Sequence, residues 1–109
     1  MLASLRADPG IVLSGRDAAA EAGAPVDPGG EIDAYVRRSG ADALVRGVRA
    51  REVLENANLL LHVVDDDVWP FERGQRYAAP WVAWLDLEDR QDRAAGTLLD
   101  RLLGGRIRA

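Results

Sequence analysis

The sequence predicts an α+β fold, a small mixed sheet carrying a layer of helices in the approximate order βαβαββαα. Three observations point there. Apolar or alternating runs at 11–13, 31–36 and 59–64, each flanked by turn-forming residues, have the form of strands. Between and after them lie stretches with helical spacing of apolar residues, two of them consecutive near the C-terminal end. The 109 residues, 48% apolar and 29% charged, suit one domain with a real core and argue against disorder.

Residues 1–10 read as a flexible lead-in, and Ile11-Val12-Leu13 as the first strand. Ser14 is expected to cap an Ala-rich helix over 16–22, which Gly23-Ala24-Pro25 stops: Gly tolerates the left-handed cap and Pro cannot continue the helix. Asp27-Pro28-Gly29-Gly30 is a turn or loop. In 31–36, Ile32, Ala34 and Val36 alternate with Glu31, Asp33 and Tyr35, the pattern of a half-buried strand with an acidic solvent face. Ser39-Gly40 leads into a short helix over 41–48 carrying Leu44, Val45 and Val48.

Segments 49–55 and 59–64 read as a hairpin about Asn56-Ala57-Asn58, since Asn accepts positive φ; the alternative is that 49–55 continues the preceding helix. Pro80 suits the first turn of a helix over 80–88, with Trp81, Trp84 and Leu85 as its apolar stripe. The last helix, 91–103, aligns Ala95, Leu98, Leu99, Leu102 and Leu103, with Asp92 near its start, Gly104-Gly105 closing it and 104–109 as a tail. The expected core is Val12, Leu13, Ile32, Val36, Leu44, Leu59, Leu61, Val63, Trp81, Leu85, Leu98 and Leu102.

Composition removes several function classes. There is no cysteine, so disulfides, thiol catalysis and Cys-ligated metals are excluded, and a single histidine argues against a His-rich metal site. No cofactor is expected. The longest apolar runs are far too short for a membrane span, and the first six residues lack the pattern of a signal peptide, so a cytoplasmic location is expected. A net charge of −4 disfavours direct, sequence-specific DNA binding by this chain alone. All fourteen cations are Arg; codon bias in a GC-rich genome accounts for that, and Arg chosen for bidentate clamps is the alternative.

The chemistry-bearing candidates can each be weighed against a structural role. Ser14-Gly15 before a helix, Glu31-Ile32-Asp33 on a strand and Asp65, Asp66 and Asp67 at the end of another resemble the serine–glycine turn, acid-x-acid strand and third carboxylate of minimal nucleotidyltransferases. In that family such acids hold two magnesium ions over a nucleoside triphosphate. Here the Ser and Gly are reversed and the first acid is Glu, so the expectation is that Ser14 caps its helix and at least one acid points away. His62, within a Leu/Val strand, is expected to be a hydrogen-bonded strand histidine. No Gly-bearing EF-hand loop follows Asp65, Asp66 and Asp67, which leaves a solvated turn. Trp69, Phe71, Trp81 and Trp84 either plug one end of the core or form an interaction surface. Arg101, Arg106 and Arg108 are taken as a solvated tail.

A second resemblance covers nearly the whole chain. Ile11-Val12-Leu13-Ser14-Gly15 with its Ala-rich helix, the strand 31–36, Asn58-Leu59-Leu60-Leu61-His62-Val63-Val64, and above all Ala79-Pro80-Trp81-Val82-Ala83-Trp84-Leu85-Asp86-Leu87 followed by Asp92-Arg93-Ala94-Ala95, resemble the C-terminal domain of AbiEi-type (type IV toxin–antitoxin) antitoxins and related actinobacterial winged-helix regulators. Members of that family carry an N-terminal winged helix-turn-helix, for which the ten residues before Ile11 leave no room. The resemblance implies a non-catalytic regulatory or protein-interaction domain with a toxin or regulator as partner, and no catalytic residues. A degenerate or active nucleotidyltransferase-like enzyme using Glu31, Asp33 and one of Asp65, Asp66 and Asp67 is the alternative.

Overall fold

The fold is α+β, as the strand and helix patterning predicts. A computed structural model describes residues 5–29, 31–50 and 58–107. Among these residues, β1 (Ile11–Leu13), β2 (Glu31–Arg37) and β3 (Asn58–Val64) form one mixed sheet in the order β1-β2-β3, with β1 antiparallel and β3 parallel to β2. The helices are α1 (Gly15–Glu21), α2 (Arg38–Ala50), α3 (Pro80–Asp89) and α4 (Ala94–Ile107), with a 3-10 turn at Asp66–Val68. No described helix is long and apolar enough to cross a membrane.

Strand register divides the apolar residues between two cores. Ile11 pairs with Val36 and Leu13 with Ala34, while Ile32 and Ala34 pair with Leu59 and Leu61, so these side chains share one sheet face. Leu5, Ala41 and Leu44 cover it. The second core lies among the three remaining helices: Ala18 and Ala19 of α1, Ala83 and Leu87 of α3, and Ala94, Ala95 and Leu98 of α4. Small residues at these contacts let helix backbones approach closely. β1 is flanked on its outer edge by 76–78, where Leu13 N–H donates to the Arg76 carbonyl (2.8 Å) and Ala78 N–H to the Leu13 carbonyl (2.7 Å).

Several expectations change. The parallel pairing of β3 with β2 replaces the hairpin: Arg49 and Ala50 continue α2, as the alternative reading has it, and 51–57 lie outside the described residues. A parallel partner requires a crossover, which α2 supplies. Gly104 and Gly105 do not close α4, which runs through them to Ile107. The lead-in contributes to the fold, since Leu5 is buried and Arg6 is ion-paired to Asp17 at 2.7 Å. The α3 stripe is rotated from the expected one. Ala83 and Leu87 are buried, Trp84 is half-buried, and Trp81 and Leu85 are 47% and 58% exposed, because α3 packs against the alanines of α1 and α4 through Ala83 and Leu87. Val63, also expected inside, is 40% exposed at the sheet margin.

Candidate functional site

The other face of the sheet carries a polar network rather than solvent. Asp33 and Tyr35 of β2 and His62 of β3 share that face, Tyr35 standing directly opposite His62 in the parallel register. Helices α1 and α3 come down over them. This corrects the expectation of a solvated acidic face: Asp33 is 2% exposed, and Tyr35 is half-buried.

Each member is held by a specific contact. Gly15, at the turn from β1 into α1, has φ +55°, and a Cβ there would stand 2.9 Å from the Asp33 Cβ, so only glycine lets the α1 start approach β2 this closely. Ser14 occupies the cap position of α1 without making a side-chain capping bond. Its hydroxyl instead donates to Asp86 Oδ2 of α3 at 2.6 Å, against the expectation that it serves as a helix cap. The Tyr35 hydroxyl donates to the same carboxylate, at 2.8 Å from Oδ2 and 3.0 Å from Oδ1. His62 Nε2 lies 2.6 Å from Asp33 Oδ1, and the imidazole stacks on Tyr35 with ring centroids 4.5 Å apart. His62 is therefore a hydrogen-bonded strand histidine, and its partner is the buried acid.

Arginines close the rim. Arg16 of α1 makes a two-pronged contact with Asp92, Nε to Oδ2 at 3.0 Å and Nη2 to Oδ1 at 2.9 Å, the fork geometry that lysine cannot supply. Arg90 donates to Glu31 Oε2 at 3.0 Å and reaches within 3.5 Å of Asp33 Oδ2. Asp33 Oδ2 nevertheless has no hydrogen-bond partner although it is fully buried. Burial pushes the Asp33 carboxyl above its ordinary range and the nearby Asp86 charge adds to this, while His62 and Arg90 pull the other way. Tyr35 is raised by burial and by its bond to Asp86. The bond from Arg16 holds Asp92 below its ordinary range.

Of the nucleotidyltransferase-like candidates, the structure brings Ser14, Glu31 and Asp33 to one region. Asp65, Asp66 and Asp67 do not join them. All three are exposed; Asp65 pairs with Arg38, and Asp66 accepts from the Ser39 backbone N–H at 3.0 Å at the start of α2. Sequence reasoning passed over Asp86 and Arg90, and treated Tyr35 and His62 separately. The one local signal was an acid set between Leu85 and Leu87 on an otherwise apolar turn of α3. Asp33, His62 and Asp86 each offer a ligand atom, and these atoms lie within 4.8 Å of one another.

The aromatic candidates form two edge-on pairs. Trp69 and Phe71 lie 5.1 Å apart, with Phe71 against Tyr35 and the Arg37 guanidinium 4.5 Å over Trp69. Trp81 and Trp84 lie 5.9 Å apart on α3. Trp69 borders a cleft of about 340 Å³ whose lining includes Val12, Arg37, Glu72 and Arg73. Comparison of the chain with protein-family models, curated proteins and solved structures gives no match.

Proposed function

We propose that this chain is a non-catalytic regulatory or protein-interaction domain of the AbiEi-antitoxin kind, with a toxin or regulator as its partner. One observation carries the reading: the groups that a nucleotidyltransferase would need open to substrate are engaged with one another. Ser14 at the start of α1 is bonded to Asp86, Glu31 to Arg90, and Asp33 to His62, so the helix start faces a carboxylate rather than a vacant phosphate cradle. The exposed Trp81 and Leu85, one turn apart on α3, provide apolar surface for docking.

The nucleotidyltransferase reading keeps one specific observation in its favour, the packing of the Ser14-Gly15 turn directly against Asp33. Isothermal titration with magnesium and nucleoside triphosphates separates the two. The expected result is no heat of binding. Saturable nucleotide binding abolished by Asp33→Ala would assign the enzyme instead. Gene neighbourhood supplies an independent check, the expected outcome being an adjacent nucleotidyltransferase toxin frame or an upstream winged helix in the same frame.

A further inference from the structure

We propose that Asp33, His62 and Asp86 form a binding site for a divalent cation of the zinc or manganese class, joining β2, β3 and α3. Three acceptor atoms within 4.8 Å of one another are close enough for one ion to gather them with small side-chain movements. Zinc bonds of about 2.0–2.2 Å to nitrogen and carboxylate oxygen place neighbouring ligands about 3.3 Å apart in a tetrahedron. An imidazole with two carboxylates suits zinc or manganese better than magnesium, which prefers an all-oxygen octahedron.

A second, independent observation points to the same ion. Asp33 is almost completely buried, yet its Oδ2 makes no hydrogen bond and has only the Arg90 guanidinium near it, at 3.5 Å. An unsatisfied carboxylate oxygen in such a place is costly, and a bound cation would satisfy it. The charge count agrees. Glu31, Asp33, Asp86 and Asp92 face only Arg16 and Arg90 in this network, an excess of two negative charges when His62 is neutral.

The surrounding groups already resemble the outer partners of a metal site. Ser14 and Tyr35 both donate to Asp86 and fix its carboxylate, and the Tyr35 ring stacks on His62 and sets the imidazole plane. Gly15 keeps the α1 start clear of the Asp33 side chain. The acids at 65–67 are exposed and lie apart from this cluster.

The test uses the full chain, stripped with chelator and titrated with zinc chloride near neutral pH by calorimetry and thermal melting. One equivalent should bind saturably and raise Tm with ion concentration. Cobalt(II) substitution should give a visible absorption band that reports nitrogen–oxygen coordination. His62→Gln and Asp86→Asn should each abolish binding, while Asp66→Asn, in the exposed cluster, should retain it. Circular dichroism establishes that each variant is folded; if Asp86→Asn is not, His62→Gln, at a half-exposed ring, decides. Absence of saturable binding to the folded wild-type chain, or unchanged binding in the folded ligand variants, overturns the proposal. Zinc binding without magnesium–nucleotide binding would leave the proposed non-catalytic role standing, so the two ideas fail separately.

Discussion

Asp33 and Asp92 are carboxylates whose protonation responds to folding in opposite ways. The folded Asp33 carboxyl lies above its ordinary value of 3.8 because burial penalises the charge. Its favourable contribution is thus full below that value and is lost as pH rises through the folded pKa. Asp92, held low by Arg16, contributes stability that is present above 3.8 and lost as pH falls through its folded pKa. Urea unfolding across pH should therefore show Asp33→Asn gaining on the wild-type chain as pH rises from below 3.8, and Asp92→Asn losing its deficit in acid. Gly15 offers a second residue-scale prediction. Gly29→Ala places a side chain at φ +61° with nothing within 4 Å, so only the left-handed penalty of about 1–2 kcal/mol applies. Gly15→Ala should cost more, because the added methyl also displaces Asp33. Equal costs in urea titrations would show that this close approach is unimportant. Ser14, Glu31 and Asp33 were legible as candidates because each sits in a short local pattern. Tyr35 and Asp86, 51 positions apart, carry no local sign of their bond, since only tertiary packing brings α3 over β2.

At the scale of elements, helix faces decide which leucines matter. Leu98 of α4 is fully buried among alanines, so Leu98→Ala should cost about 2–5 kcal/mol, measured by denaturant unfolding. Leu85→Ala, at a side chain 58% exposed, should change stability by about 0.5 kcal/mol or less. Comparable losses would mean that Leu85 is covered in solution. The strands at 11–13, 31–36 and 59–64 and the helix opened by Pro80 were readable because apolar periodicity and turn residues agreed there. The facing of α3 was not. Trp81, Trp84 and Leu85 form the larger apolar stripe, but Ala83 and Leu87 are the residues buried against the alanines of α1 and α4. Hydrophobicity alone favours the bulky stripe, whereas the packing of three helices selects the face that fits between its neighbours. The apolar run of β3 likewise could not distinguish a hairpin from a parallel strand, since its partner was set by where α2 delivers the chain.

At the scale of the molecule, charge governs what the domain can approach. Eighteen acids against fourteen arginines give a net charge of −4, and four of the arginines are already paired with carboxylates of the same chain: Arg6 with Asp17, Arg16 with Asp92, Arg38 with Asp65 and Arg90 with Glu31. Phosphate binding draws its affinity from releasing the counterions condensed on the nucleic acid as cationic side chains neutralise its phosphates, and arginines engaged with carboxylates neutralise few. The domain should therefore show no sequence preference for duplex DNA, and any retention should vanish between about 50 and 200 mM salt. Gel shifts of the isolated chain against its own promoter and a scrambled duplex of equal length provide the measurement. Nanomolar retention that distinguishes the two sequences would overturn this expectation and require a reading surface that the acidic balance argues against. If the chain is supplied with a DNA-reading partner, the same negative field should keep this domain off the duplex, leaving α3 with its exposed Trp81 and Leu85 free for protein contact.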